Sequence, residues 1–482
     1  MSNVVRHVLP AVMAIPILFF LIAPSAGAQS AAEPTAAELA EQIRDLKREY
    51  EARIGTLEAQ LSTLESRAEI LARESAAPAS TTRPAPDNAF NPAIGIVLNG
   101  MISEHSADES EIPGFPIGHE GERAEKGLSL GHSEIAMSSN IDDKFFGNIT
   151  LGLGVHPGEP TELELEEAYI QTLPGAGLPE GSRIKAGRSL WTFGYLNELH
   201  AHGDDFADRP LPYRAFLDNA YNDDGVELSV VMPTELYGEV GAGLFRGDDT
   251  PFAGSDNGLE AWSAFARLGG DIGRDSAWRV GGYVLSGEAR NRGGADGHED
   301  EGVDGHEVEE EEEEEGEEHH DEHGHAEYFS EGMFSGDTRL YALDFRSTWA
   351  PTGNARDREL ILQGEYFWRK EQGTYELAAE EEGEAGESES FDTTTRGWYA
   401  QAIYKFMPRW RIGARYSRLH PPGAMEIGHD PTAVAAMIDW TNSEFGRIRL
   451  QYNRETLTDD EHDNQIMLQY IMSLGAHPAH TF

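Results

Sequence analysis

The stretch Gly446–Arg454, with the sequence GRIRLQYNR, carries the pattern that decides the fold of this chain of 482 residues. Its apolar and polar residues alternate, with Ile448, Leu450 and Tyr452 in one set and Arg447, Arg449, Gln451 and Asn453 in the other. Successive side chains of a β-strand point to opposite faces of the sheet. The stretch therefore predicts a strand with one face suited to lipid and the other to water.

The same alternation recurs through the chain after Asn91. One example sets Trp398, Ala400, Ala402, Tyr404 and Phe406 against Tyr399, Gln401 and Lys405, and another sets Leu360, Leu362, Tyr366 and Trp368 against Glu359, Gln363 and Glu365. We count about sixteen such segments, an even number as in bacterial outer-membrane barrels. The first four are expected at Asn91–Ile102, Leu128–Ile141, Phe145–His156 and Glu162–Leu173. In the fourth, Leu163 and Leu165 differ in parity from Ala168 and Ile170, which predicts a β-bulge.

The connections between segments alternate in length. Tight turns are expected at Ile141–Lys144, Pro233–Tyr237, Met407–Arg409 and Ser443–Phe445, and longer links at 103–127, 195–223, 287–337 and 371–394. Six tryptophans lie at segment ends on the apolar face: Trp278, Trp349, Trp368, Trp398, Trp410 and Trp440. Short periplasmic turns, long extracellular loops and aromatic girdles are typical of a transmembrane barrel. We therefore predict an all-β antiparallel transmembrane barrel over 91–482 rather than a soluble sandwich.

The N-terminal region predicts export followed by oligomerisation. Residues 1–28 fit a signal peptide, with an apolar run at Val8–Ala23 and the cleavage pattern Ala26-Gly27-Ala28. The alternative is a membrane anchor, but prolines interrupt the apolar run. Residues 29–75 predict a periplasmic coiled-coil helix, and 76–90 a linker rich in small residues and proline. The apolar stripe of the helix comprises Leu39, Ile43, Leu46, Tyr50, Ile54, Leu57, Leu61, Leu64, Ala68 and Leu71. A single helix lying on a membrane would instead carry a basic polar face.

Composition excludes several classes of function. The chain has no cysteine, and so it has no disulfide and no thiolate metal site. Its formal net charge of -49 argues against a nucleic-acid partner. No HExxH motif is present, and serine, histidine and acidic residues on barrel strands cannot be assembled into a triad from the sequence, so we predict that the protein is not an enzyme.

Four short motifs resemble those of a known family. They are Ile141-Asp142-Asp143-Lys144 followed by Phe145-Phe146-Gly147, then Glu166-Glu167-Ala168-Tyr169-Ile170, then Lys185-Ala186-Gly187-Arg188, and the terminal Phe482. Together they resemble trimeric outer-membrane porins with an N-terminal coiled coil, the DcaP-like and phosphate-selective-porin-like group. The resemblance implies a homotrimer in the outer membrane, in contact with its lipid. It also implies a third extracellular loop that folds into the lumen opposite basic residues of the wall.

In this chain the third loop is expected at Tyr195–Asp223. Its candidate constriction residues are Glu198, His200, His202, Asp204, Asp205 and Asp208, and the candidate basic wall is Arg411, Arg415, Arg447 and Arg449. Acidic groups that face arginines across a gap would orient polar solutes and set the ion preference. The alternative is that these arginines pair with other charges and touch no solute.

Two histidine patterns suggest metal binding. The first lies in the predicted extracellular loop 287–337 and comprises His298, His306, His319, His320, His323 and His325 among many glutamates. Imidazole and carboxylate together suit zinc, which we expect to be loosely bound, with no cofactor required. A solvated acidic tract is the alternative. The second pattern, His132 and Glu134 on one strand face, could continue a cation path, although it is more often a hydrogen-bonding pair.

The sequence therefore predicts an outer-membrane porin for passive diffusion of small hydrophilic solutes or ions, with zinc concentrated at its mouth. A TonB-dependent metal receptor is the first alternative, but that class needs a plug domain and about twenty-two strands. A structural tether of the outer membrane is the second alternative.

Overall fold

A computed structural model describes residues 92–107, 111–115, 117–154, 162–252, 254, 258–293, 333–376, 388–423, 429–458 and 462–475. The predicted signal peptide, coiled coil, linker and terminal Phe482 lie outside these residues. So do the six histidines between His298 and His325.

The described residues form one closed antiparallel sheet of seventeen strand segments. These are β1 (Ala93–His105), β2 (Gly127–Ser129), β3 (Ser133–Asn140), β4 (Phe145–Gly154), β5 (Glu162–Thr172), β6 (Ser182–Leu190), β7 (Asn222–Val231), β8 (Tyr237–Phe245), β9 (Ala261–Ile272), β10 (Ser276–Arg292), β11 (Met333–Trp349), β12 (Glu359–Glu376), β13 (Ser388–Met407), β14 (Trp410–His420), β15 (Thr432–Ser443), β16 (Gly446–Thr456) and β17 (His462–Gly475). The first and last strands pair from Gly95↔Gly475 to His105↔Gln465, which closes the barrel.

The barrel has sixteen strands, as predicted, because β2 and β3 together occupy one position. Both pair with β1, at Met101↔Ser129 and at Val97↔Glu134. The predicted single strand Leu128–Ile141 is thus interrupted. Gly131, with φ of 49°, lies in the interruption in a backbone conformation that favours glycine.

The two faces of each strand differ as predicted. On β16 the side chain of Leu450 is 48% exposed, whereas Arg449 beside it is 1% exposed. Apolar residues cover the outside of the barrel, and the lumen holds polar residues together with a cluster of buried aromatic and aliphatic side chains. Because neighbouring strands close into a ring, every inward polar residue must find its partners inside the lumen or in water.

Aromatic residues on the outer face pair across strands in two bands. Near the turns, Trp410 stacks on Trp440 with ring centroids 6.0 Å apart. Nearer the loops, Tyr341 stacks on Trp368 at 5.2 Å and Trp398 packs against Tyr416 at 5.3 Å. These bands correspond to the predicted girdles.

The tight turns and the long links named from the sequence lie at opposite ends of the barrel, as predicted. Residues 141–144, 232–236, 408–409 and 444–445 form tight turns, whereas 191–221 and 246–260 are longer links at the other end. The fifth loop spans 293–332 rather than 287–337, and the sixth spans 377–387 rather than 371–394. Strands β10–β13 are 17 to 20 residues long and therefore extend past the positions where we expected them to end.

The predicted bulge lies in β5 at Glu166. The register of β4 with β5 passes from Thr150↔Glu167 to Leu151↔Leu165 and omits Glu166. Both Glu166 and Glu167 are consequently buried inside the barrel, while Leu163 and Ile170 remain exposed outside. The bulge converts a local change of parity into two adjacent inward carboxylates.

The third loop, residues 191–221, folds into the lumen. It contains the short helix α1 (Leu211–Leu217), all of whose residues are buried. Its aromatic residues pack on inward residues of the wall; Tyr213 and Phe216 both contact Phe367, with centroids 5.2 and 6.2 Å apart. Within the described residues, no helix is long and apolar enough to cross a membrane.

Candidate functional site

The third loop crosses the lumen and contacts polar side chains on two parts of the barrel wall. At one wall, on β14–β16, it meets the predicted arginines. At the other wall, on β3 and β5, it meets three glutamates. The residues between these walls, Glu198 to Asp208, are the ones that the sequence singled out.

The four predicted arginines contact the loop directly rather than across a gap. Arg411 Nη1 donates to Asp205 Oδ1 at 2.7 Å, and Arg415 donates to the carboxylate and the carbonyl of Asp208, both at 2.7 Å. Arg447 donates to the backbone carbonyl of His202 at 2.5 Å, and Arg449 to that of Asp204 at 2.7 Å. The basic wall therefore fixes the path of the loop.

Asp205 is held in its ionised form by this arrangement. Burial alone would raise the pKa of its carboxyl, but the guanidinium groups of Arg411 and Arg346 outweigh that effect, and the pKa lies below the usual value. Arg411 is in turn held by Asp439 on β15, with Nη2 2.5 Å from Oδ2. Whether these arginines also touch a solute stays a prediction.

Two further predicted residues also pair, but with different partners. Glu198 forms an ion pair with Arg267 on β9. Asp204 accepts a hydrogen bond from Arg209 Nε at 2.9 Å, within the loop itself. The inward parity of Arg267 marks it as a residue of the lumen wall. Because it is far from the loop in sequence, no local pattern indicates that it contacts Glu198.

The sequence did not identify the main anchor of the loop, Glu365 on β12. Its carboxylate accepts hydrogen bonds from the hydroxyls of Tyr399 (2.5 Å) and Tyr213 (3.0 Å). It also accepts one from the backbone N–H of Tyr195 at 3.0 Å. The alternation in β12 predicts that Glu365 faces the lumen, but nothing in the sequence of β12 indicates that it contacts the third loop.

Beside the loop lies a cavity of about 630 Å³. Its lining includes the carboxylates of Glu120, Glu122, Glu125, Glu164, Asp204 and Asp208 and the guanidinium groups of Arg123, Arg209 and Arg214. Each of these arginines forms an ion pair: Arg123 with Asp463 at 2.6 Å, Arg209 with Asp204 at 2.9 Å and Arg214 with Glu455 at 2.8 Å. The lining therefore carries an excess of negative charge.

At the edge of this cavity, three histidines and three glutamates meet. His132 precedes β3 and Glu134 lies on it, Glu166 and Glu167 lie at the bulge of β5, and His200 and His202 belong to the third loop. His200 Nδ1 is 3.3 Å from Glu134 Oε2 and 3.1 Å from Glu166 Oε2, and its Nε2 is 3.2 Å from Glu167 Oε2. His202 Nδ1 is 2.9 Å from Glu134 Oε1, and His132 Nε2 contacts Glu166 Oε1.

The carboxylates determine the protonation of His200. Burial alone would lower the pKa of its imidazole, but the neighbouring glutamates, Glu134 first among them, raise the pKa well above the usual value. The imidazolium form of His200 thus balances part of the buried negative charge.

The sequence predicted His132 and Glu134 as a lumen pair but did not connect them with the third loop. His132 lies in the break before β3 and not on a strand. The six histidines of the stretch 296–327 belong to the connection between β10 and β11 and lie outside the described residues, so zinc binding there stays a prediction.

No protein-family model matches the sequence. An uncharacterised protein of Aquifex aeolicus is 28% identical over 435 residues, which cover 83% of this chain and 81% of that protein. The solved structures that resemble the chain include the outer membrane channel DcaP of Acinetobacter baumannii (11% identity, TM-score 0.45, covering 80% of this chain and 97% of that one). They also include an anion-selective porin of Comamonas acidovorans (8%, 0.45, 80% and 99%) and the trimer form of OmpT of Vibrio cholerae (10%, 0.44, 80% and 99%). Because the identities are this low and the TM-scores are below 0.5, the function proposed below is inferred from the geometry of this chain.

Proposed function

We propose that this protein is an outer-membrane channel for passive diffusion of small hydrophilic solutes or ions, with a preference for cations. The observation that carries the proposal is the cavity with an excess of carboxylates beside a third loop that is tied into the lumen. A closed sixteen-strand barrel with an apolar exterior supports insertion in an outer membrane. The excess of carboxylates lowers the barrier to cations relative to anions.

The test is single-channel conductance of the purified protein in planar bilayers. Under a KCl gradient, the reversal potential should indicate a preference for K⁺. Replacing Glu120, Glu122 and Glu164 together by Gln should shift that potential toward Cl⁻, because three negative charges leave the cavity lining. The control is Glu104→Gln on β1, since Glu104 is exposed on the outer face.

Two results would contradict the proposal. Absence of discrete conductance steps from a folded barrel would exclude a channel and favour the structural tether. A reversal potential that is the same in the triple variant and in the wild type would show that the cavity does not lie on the ion path. The number of strands, sixteen rather than about twenty-two, already disfavours a TonB-dependent receptor.

The assembly that we propose is a homotrimer joined by the coiled coil of residues 29–75. The support is the apolar stripe from Leu39 to Leu71, which one helix cannot bury alone. Deletion of residues 35–75 should weaken the trimer in chemical crosslinking. A full-length protein that crosslinks only as a monomer would contradict this proposal.

A more specific part of the proposal is that the extracellular mouth of the channel captures zinc. It is supported by the six histidines among the carboxylates of 296–327, a ligand set that suits Zn²⁺. Calorimetry on this loop as a peptide should show zinc binding that is lost when all six histidines are replaced by serine. Equal affinity of the two peptides would leave only an acidic surface.

A further inference from the structure

We propose that the lumen contains a specific binding site for a divalent transition metal, Zn²⁺ or an ion of similar ligand preference, formed by His132, Glu134, Glu166 and His200. This site is distinct from the histidine-rich fifth loop, and it does not depend on the protein being a diffusion channel. It would tie the third loop to the barrel wall through a metal ion.

Two of the donor separations already suit a single ion. Bonds of about 2.0–2.2 Å in a tetrahedral arrangement put ligand atoms roughly 3.3 Å apart. His200 Nδ1 lies 3.3 Å from Glu134 Oε2 and 3.1 Å from Glu166 Oε2. Ligand atoms of His132, Glu134 and Glu166 all lie within 4.8 Å of one another. Side-chain rotations that separate His132 Nε2 from Glu166 Oε1 and bring His200 toward His132 would place two nitrogens and two oxygens around one ion.

A supporting shell orients these donors. Metal-bound histidines usually donate their second N–H to a carboxylate, which fixes the tautomer and the ring orientation. Glu167 Oε2 is 3.2 Å from Nε2 of His200, and Ser189 Oγ donates to Glu167 Oε1 at 2.7 Å. His202 Nδ1 lies 2.9 Å from the other oxygen of Glu134. The arrangement matches the carboxylate–histidine–metal pattern.

Glu166 lies where a cation would be favourable. Its residue is 7% exposed, and the donors facing its two carboxylate oxygens are the proposed ligands themselves, with Oε2 3.1 Å from His200 Nδ1 and Oε1 in contact with His132 Nε2. A buried carboxylate is unfavourable unless a positive charge is close to it, and either imidazolium or a metal ion held by these imidazoles would supply that charge. The bulge directs Glu166 inward, and a Cβ on Gly152 would lie 2.6 Å from Glu166 Oε1, so glycine leaves room beside the site.

The site can be reached from water. His132 lines the 630 Å³ cavity, and its side chain is 30% exposed, whereas that of Glu134 is 4% exposed. An ion can therefore enter from the cavity and bind first at His132. Two imidazoles and two carboxylates, with no thiolate, suit Zn²⁺, Ni²⁺ or Cu²⁺ better than Mg²⁺ or Ca²⁺, which prefer oxygen ligands alone.

The experiment uses the full-length protein in detergent, with the six fifth-loop histidines replaced by serine so that the loop does not contribute. After treatment with a chelator, Zn²⁺ is titrated by calorimetry. We expect one equivalent bound per chain, with Mg²⁺ unable to compete. His132→Ser and Glu166→Gln should each weaken zinc binding at least about tenfold, as expected for the loss of a ligand. The matched control is His420→Ser, because His420 pairs with Asp430 away from the cluster.

Folding of every variant is checked by its heat-modifiable mobility in electrophoresis. If Glu166→Gln fails to fold, His132→Ser decides the question, because His132 is partly exposed and precedes the strand. Unchanged affinity in His132→Ser would overturn the proposal. X-ray absorption of the zinc-loaded protein gives a second readout: two imidazoles per zinc are expected, and a spectrum without imidazole scattering would also overturn it. Neither readout depends on conductance, so failure of this site and failure of the channel are separate outcomes.

Discussion

At the scale of single residues, the buried carboxylate of Glu365 organises the start of the third loop. It accepts hydrogen bonds from one tyrosine of the barrel wall, Tyr399, and from one of the loop, Tyr213. It also accepts one from the backbone N–H of Tyr195. A buried carboxylate with several donors stabilises the conformation that brings those donors together.

Replacing Glu365 by Gln should therefore loosen the third loop. The amide has one acceptor oxygen in place of two, so at least one buried donor loses its partner, at a cost of about 1–3 kcal/mol in the free energy of unfolding. The measurement is unfolding in urea together with protease cleavage within residues 191–221. Glu359→Gln, at the turn end of the same strand, is the control and should change neither. Unaltered cleavage in Glu365→Gln would mean that other contacts fix the loop.

At the scale of elements, the third loop is fixed at several points of the wall. Arg415 illustrates the far anchor, because its side chain is 3% exposed and binds both the carboxylate and the carbonyl of Asp208. Arg418, three residues later on the same strand, pairs with Asp430 and is 41% exposed. The two arginines therefore share an ion-pair chemistry and differ in burial.

Arg415→Gln should destabilise the protein by about 1.5–3 kcal/mol, because Asp208 loses its charged partner and keeps only the neutral donors Gln451 and Asn453. Arg418→Gln should cost less than about 1 kcal/mol, as for an exposed pair. Unfolding in urea measures both. In bilayers, Arg415→Gln should also raise the current noise, since the loop that narrows the lumen is released. Equal stability losses for the two variants would contradict the anchoring role.

At the scale of the whole molecule, the apolar exterior implies that the barrel lies in lipid. Leu450, on the outer face of β16 between the two aromatic bands, is 48% exposed. Leu236, in the turn between β7 and β8, is 50% exposed. The two leucines have similar exposure but lie at different depths relative to the bands.

Leu450→Arg should lower the free energy of unfolding from lipid vesicles by about 2–4 kcal/mol, the cost of an arginine near the bilayer midplane. Leu236→Arg should cost at most about 1 kcal/mol, because the turn lies near the interface. Similar losses at both positions would indicate that the outer face of β16 is not covered by lipid.

The sequence alone determined those features that depend on neighbours along one strand. Alternating residues such as Arg449 and Leu450 fix which side faces the lumen, and the change of parity in β5 located the bulge. Both follow from the period of two residues in a strand, which is a local property. The lengths of the connections then gave the order of turns and loops.

The tertiary structure decided which lumen residues meet, because those contacts depend on closure of the barrel and on the path of one loop. Tyr213 and Glu365 are 152 residues apart, and Arg415 and Asp208 are 207 apart. The histidine and glutamate cluster combines three segments whose proximity no local pattern encodes. The sequence could thus give the inward direction of Glu134 and Arg415, whereas their partners were set by how the third loop fills the space inside a closed ring of strands.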